Sequence, residues 1–381
     1  MLRLYFAVFF YLIPAYLLAP GSPFPVTVPP DSARINKYYS NKGDESKMAK
    51  VKDVLQALDD ITNGRCVKSS ADWTSGNNPW VVIKSSNIPG KSCMELPGLV
   101  CGDPEMEVKK IAVCMTMTES VIELAAATGV DAIISHHPAC DAANSGGVLM
   151  KTYLGLYGLA FFELHEALHG THPGIPWMHG HKPFFTSVTY GGIPGNVVNV
   201  GDALPEIKTV GDLLDRLNAL IDAEMDAHML TVERRERGCD AIEETSVAAN
   251  ARILVGKRED PVTQIIHIHP HCGFTPQHLE QLAHDNPGVD TVVASISRVY
   301  PGHPLVAKAE ELGLSFLCGN SHALEIFENG VPLAYALRNH LPECEVVIFR
   351  ERQTSIPLDE VGSPEIRAYG SRIAGEYLHR K

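Results

Sequence analysis

Two short, mainly apolar runs decide most of what this chain can become. Residues 110–115 read Lys-Ile-Ala-Val-Cys-Met, and residues 131–135 read Asp-Ala-Ile-Ile-Ser. Neither alternates in polarity, so each reads as a strand covered on both faces, as in a parallel sheet. Between them, Val121, Ile122, Leu124, Ala125 and Ala126 mark a helix that ends at Gly129. Thr116 and Glu119 fit a capping box at its start. A strand, a helix and a second strand in this order give a parallel β-α-β unit. A helix over 148–157 and a strand over 159–164 extend it. The fold class is therefore α/β.

The same order returns late in the chain. A strand over 263–268 leads to a helix over 276–285 with Leu279 and Leu282 inward. A strand over 291–295, a helix over 304–312 and a strand over 314–318 follow. Gly129-Val-Asp131 corresponds to Gly288-Val-Asp290, and Ala160-Phe-Phe162 to Ser315-Phe-Leu317. This reads as an internal duplication: two β-α-β halves forming a two-lobed domain with a cleft between them. The expected division is an extension and linker over 1–47, a first half over 48–200, a helix and diverged insertion over 201–262, a second half over 263–355, and a tail over 356–381. Val51, Val54, Leu55, Leu58 and Ile61 form one helical stripe at the start of the first half, and a loop-rich stretch with Trp73 and Trp80 runs on to Gly98. Residues 209–221 form an amphipathic helix, whereas the charged stretch 223–259 reads as a small insertion or a hairpin-like excursion.

Residues 4–19 are apolar, with Arg3 before them and Pro20-Gly21-Ser22 after them. This is the pattern of a signal peptide; the alternative is a non-native extension ahead of a start at Met48. The first reading would send the chain to the secretory pathway, and only a retained apolar run would bring it to a membrane. The net charge of −13 repels phosphate backbones, so nucleic acid is not an expected partner. Nine widely spaced cysteines without a CxxC pair do not form a disulfide framework.

Seventeen histidines are the compositional anomaly, and they cluster. His136-His137 follows the second buried strand, at the end of the sheet where α/β proteins keep their ligands. The pair can serve two metal ions, or stand as hydrogen-bonded turn residues. His165-Glu166-Ala-Leu-His169 spells HExxH, which on a helix holds zinc with the glutamate as base. Gly170 and Pro173 end any such helix at once, which weakens the metalloprotease reading. His322 and Glu325 share a helical face after the strand over 314–318, with Ser321 placed to cap that helix; the alternative is a capping histidine and a solvent-facing glutamate. His267, His269 and His271 alternate along a strand, as a second metal site, a substrate wall or hydrogen-bonded strand-end residues.

Taken together, Asp131-Ala-Ile-Ile-Ser-His-His-Pro138, Val51-Lys-Asp-Val-Leu-Gln-Ala-Leu58, Gly98-Leu-Val-Cys-Gly-Asp103, Gly201-Asp-Ala-Leu-Pro205 and the segment around Ser321-His322 resemble the GTP cyclohydrolase 1 type 2 homologue family, the Ngg-interacting factor three-like proteins. The resemblance implies two adjacent divalent metal ions per chain, zinc first, with iron or manganese as alternatives. It implies His136, His137, His169, His322 and Glu325 as ligands and His165 as a proton shuttle. His169 stands where the family has an aspartate, and Glu325 comes one residue earlier than the family spacing, with Glu328 as the substitute. The resemblance further implies a metal-dependent hydrolase of a small or nucleotide-like substrate, a homo-oligomer of toroidal hexamer type and a cytoplasmic location. No Gly-rich phosphate loop accompanies it. A non-catalytic metal-handling or regulatory protein is the competing class.

Overall fold

The computed structural model describes residues 48–85, 92–138, 150–165, 167–171, 174–193, 195–244, 251–270, 273–294, 299–319 and 325–378. The apolar run and linker over 1–47 lie outside them, as do Glu166, His271, Ser321 and His322. Residues from Met48 onward form one unit. No helix among the described residues is long and apolar enough to cross a membrane.

The strands in chain order are β1 Val82–Ser85, β2 Ser92–Glu95, β3 Gly98–Cys101, β4 Lys110–Cys114, β5 Ala132–Ser135, β6 Ala160–Glu163, β7 His181–Ser187, β8 Val198–Ala203, β9 Glu243–Glu244, β10 Arg252–Val255, β11 Gln264–Ile268, β12 Thr291–Ala294, β13 Ser315–Cys318, β14 Glu345–Ile348 and β15 Thr354–Ser355. One sheet has the order β14-β4-β5-β6-β3, and a second has β10-β13-β12-β11-β8-β7. β4, β5, β6 and β14 run parallel, with β3 antiparallel at the edge. β11, β12 and β13 are likewise parallel, with β10 and β8 antiparallel on either side.

The central strands of the first sheet are apolar on both faces because helices cover both. Ile134 and Phe162 face a core that contains Val54 and Leu58 of helix Val51–Ile61 and Leu333 and Leu337 of helix Val331–His340. Ile133 and Phe161 face the opposite core, with Val121, Ile122 and Ala125 of helix Glu119–Ala127 and Leu154 of helix Met150–Leu156. Alternate residues serving opposite cores is the period of a strand.

The repeat is visible in the hydrogen bonds. Asp131 accepts from the Lys110 amide with its carboxylate, donates its own amide to the Lys110 carbonyl, and accepts from Ala160 at its carbonyl. Asp290 binds Thr263, Gln264 and Ser315 in the same way. β3 against β6 and β10 against β13 share a register break, at Leu99/Cys101 and at Ile253/Val255. Each is followed by a glycine at positive φ, Gly102 and Gly256, where a Cβ would lie 2.8 Å from Ala160 Cβ or 2.7 Å from Ser315 Oγ. Only glycine brings the backbone that close in that conformation.

Three expectations are corrected. Thr118, not Thr116, caps helix Glu119–Ala127 and accepts from the Val121 amide. The charged stretch after residue 222 is mainly a helix, Ala223–Arg237, which buries only Ala223 and Asp226 and so carries no apolar stripe to read. The stretch before Gly98 is not merely loop: it holds helix Ser70–Thr74 and the hairpin β1–β2.

Candidate metal centre

Parallel pairing continues past the end of β5. The His136 amide donates to Cys114 O and the His137 amide to Met115 O, so the backbone of the pair is fixed by the sheet. His136 is fully buried, and its Nδ1 lies 3.0 Å from Leu164 O. A carbonyl only accepts, so Nδ1 carries the proton and Nε2 is left as a lone-pair donor toward a metal. Thr116, released from capping, places its hydroxyl 3.1 Å from His137 Nδ1.

β6 delivers the next two imidazoles. The Leu164 amide donates to Ser135 O, and the chain then turns instead of entering a helix. The described residues from His165 to Thr171 are turns, held by the Leu168 amide on His165 O and the Thr171 amide on Leu168 O. The HExxH letters therefore do not build the helix a metalloprotease needs. Arg65 donates to both Ala167 O and His169 O while its guanidinium lies 4.1 Å over Trp80, which clamps the turn. Ring centroids lie 4.9 Å apart for His136 and His165, 5.3 Å for His136 and His169, and 4.8 Å for His165 and His169. Behind His165, both oxygens of Glu95 sit 3.1 and 3.3 Å from Nδ1.

Glu325 enters from the other side, just before the π-turn Ile326–Gly330 that starts helix Val331–His340. Its Oε1 is 3.7 Å from His136 Nε2, and its Oε2 is 3.5 Å from His137 Nε2. The Asn329 amide nitrogen lies 3.2 Å from Glu325 Oε1 and 3.1 Å from His136 Nε2. Two groups of ligand atoms result, each within 4.8 Å: His136 with His165 and His169, and His136 with His137 and Glu325. The imidazoles of His136, His137 and His165, each anchored at Nδ1, and one buried carboxylate are groups that could hold a metal ion.

The charge states suit ligation. Burial pushes the His136 imidazole down to about 4, against the pull of Glu325. Burial alone would push the Glu325 carboxyl up, but the His136 and His137 imidazoles beside it hold it well below the usual carboxylate range. Neutral imidazole and ionised carboxylate are the ligand forms. A histidine with a depressed folded-state value stabilises the fold fully above its unfolded value of 6.5 and loses that contribution as pH falls toward about 4. For His136 this is about 3 kcal/mol. The chelator-treated chain should therefore show a urea midpoint that falls steeply between those two pH values; a flat midpoint there would contradict the assignment.

Of the residues singled out from the sequence, the structure brings together His136, His137, His165, His169 and Glu325, while His322 lies outside the described residues. Glu328 is buried but turns to His179, 3.1 Å away. His267 and His269 are buried, and the His269 ring lies 5.3 Å from His169, so this tract adjoins the centre. Sequence reading missed Glu95, Thr116, Arg65 and Asn329. A lone glutamate in the short run Ser-Cys-Met-Glu was the only signal for Glu95, and Asn329 had none. Because Glu95 orients His165, Glu95→Gln should weaken metal binding by about 10–100-fold in a chelator competition.

A profile of the Duf34/NIF3 (NGG1p interacting factor 3) family matches residues 87–141, the segment that carries Glu95 and the His136-His137 pair. No curated protein matches the chain. Among solved structures, reduced HcgD from Methanocaldococcus jannaschii aligns with a TM-score of 0.52 and 16% identity over 80% of this chain and 99% of its own. A Bacillus cereus protein related to NIF3 aligns with a TM-score of 0.51 and 13% identity over 82% and 100%. At such identities the likeness is one of fold. The segment bearing Glu95 and the histidine pair is thus similar to the Duf34/NIF3 family, and it is set on a fold shared along nearly the whole length of NIF3-related structures.

Proposed function

We propose that this chain holds two divalent metal ions around His136 and uses them to hydrolyse a small or nucleotide-like substrate. The observation that carries this reading is the pair of three-ligand groups meeting at His136. His165 and His169 flank one side, and His137 and Glu325 the other. Glu325 would be the carboxylate shared between the ions, and His322, just before it in sequence, would be a further ligand. Glu95 on Nδ1 of His165 leaves Nε2 for an ion, which favours His165 as a ligand over a free proton shuttle. The single Nε2 lone pair of His136 would serve one ion, so each ion would have only two or three of these side chains as ligands and keep positions for water, which two metals would activate as hydroxide near neutral pH. Imidazole at His169 in place of a carboxylate removes negative charge and favours zinc, with iron and manganese as the alternatives. A hexameric homo-oligomer in the cytoplasm, with no nucleic-acid partner, belongs to the same reading.

The full burial of the ligands supports a second reading, a closed metal-handling site without turnover. Reconstitution separates the two. The chain loaded with zinc, manganese or iron is assayed against phosphate esters, nucleotides and cyclic amides. Turnover abolished by chelator and restored by metal is the expected result. Stoichiometric metal with no turnover on any of these classes would favour metal handling.

A further inference from the structure

The helix Pro364–Ile373 has a complete start signal and then buries nothing. Ser363 caps it by accepting from the Ile366 amide, and Pro364 sets its first turn. The chain leading to it is fixed. Thr354 and Ser355 pair with Glu244 and Glu243, and Arg352 meets Glu244 at 2.7 Å. Arg367 holds the turn before the helix by donating to the Val361 and Gly362 carbonyls. None of the helix's own residues is buried, and Ile366 and Tyr369 are more than half exposed. A helix of this length without packing is marginal in water, so its stability calls for a surface beyond its own chain.

The residues of the helix describe that surface. Ile366, Tyr369, Gly370 and Ile373 fall at steps of three and four, which makes one stripe. Gly370 has no reason within the chain. It sits inside the helix, where glycine costs stability, and a Cβ there would meet nothing within 4 Å. A glycine on an apolar stripe, with open space above it, leaves room for a side chain of another molecule. Glu365, Arg372 and Glu376 flank the stripe on one side and Arg367 on the other, and the Arg372 guanidinium lies 5.8 Å from the centre of the Tyr369 ring. We propose that this helix pairs with the same helix of a second copy of the chain, antiparallel about a two-fold axis.

The stripe is self-complementary in that arrangement. With the axis between Tyr369 and Gly370, each Tyr369 ring seats over Gly370 of the second copy, and each Ile366 meets Ile373 of the second copy. Large side chain meets small, on both sides of the axis. Arg372 comes beside Glu365 of the second copy, again twice, so the flanking charges attract. A lipid surface fits less well. Glu365 and Glu376 balance Arg367 and Arg372, which leaves no basic face, and a chain of net charge −13 is repelled by anionic headgroups. The pairing goes beyond the metal reading and does not rest on it.

Sedimentation equilibrium of the full chain tests the pairing, beside Gly370→Leu, Glu365→Arg, Arg372→Glu and the double exchange Glu365→Arg/Arg372→Glu. All three positions are exposed, so the fold of the body is not at stake. The native chain should form particles that separate into halves on dilution. Gly370→Leu should raise the dissociation constant of that step by more than about tenfold, because leucine fills the space the tyrosine enters. Each single charge reversal should raise it by about tenfold, and the double exchange should bring it back to within about threefold of native, since both pairs re-form with their signs swapped. A native chain without such a step, a constant that Gly370→Leu leaves unchanged, or a double exchange no tighter than the single reversals overturns the proposal. A chain that keeps one particle size at every concentration and sediments with phosphatidylserine vesicles overturns it in favour of a lipid surface. Zinc loading reports on the His136 centre alone, so the two readings fail separately.

Discussion

His136→Ala should remove a ligand atom that either group could use, with apparent metal affinity at the centre falling by well over about 100-fold, beyond what loss of an outer-shell partner costs. No other described residue belongs to both groups. The loss is not confined to one ligand atom. Leu164 O gives up its Nδ1–H partner, and the Asn329 amide nitrogen loses its contact with Nε2. Asn329 keeps Glu325 Oε1, so the cost falls on the Leu164 carbonyl, about 1–3 kcal/mol where nothing replaces its partner. Chelator competition on native and variant protein reads the affinity, and urea unfolding reads the stability. His340→Ala, an exposed residue at the end of helix Val331–His340, should change neither. Retention of metal by His136→Ala near the native level would remove the basis for a shared centre.

Phe162→Ala should destabilise the chain by about 3–5 kcal/mol, the range for emptying a large aromatic position in a closed core. Phe162 is fully buried on β6, among Leu58, Ile134, Leu164 and Leu333. The helices on that face leave no solvent to fill the space, and a cavity lined by such side chains stays dry. β6 also leads into the turn that carries His165 and His169, so the weakened strand loosens one side of the centre. Urea unfolding should show the loss in the midpoint, with metal binding weakened less than in His136→Ala. A change below about 1 kcal/mol would mean that the two helices collapse onto the strand, a smaller penalty than this core implies.

The parts of the fold that could be read from the sequence are those whose burial is symmetric. β4, β5, β6, β12 and β13 are covered on both faces, so their apolar runs are unbroken and their lengths evident. The duplication could be read because Asp131 and Asp290 do the same bonding work at the same turn, which keeps Gly-Val-Asp in both copies. Helix Ala223–Arg237 resisted reading because it lies on the surface with almost nothing buried. The same logic divides the site. His136 and His137 were readable because a strand end fixes where they sit. His165 and His169 were readable as a pair but not as to backbone, since HExxH is a helix spacing and here the same four-residue step is made by turns held by Arg65. Glu95, Asn329 and Thr116 act through contacts made only in the folded chain, from residues 70, 193 and 21 positions away. No local pattern marks such partners.

The most direct measurement is an anomalous-difference map from crystals of the native chain loaded with zinc. The expected result is density within bonding reach of His136 Nε2, about 2.0–2.1 Å for a Zn–N bond, with neighbouring density shared among His165, His169, His137 and Glu325. Zinc bound elsewhere in the chain, with none at His136, would contradict it.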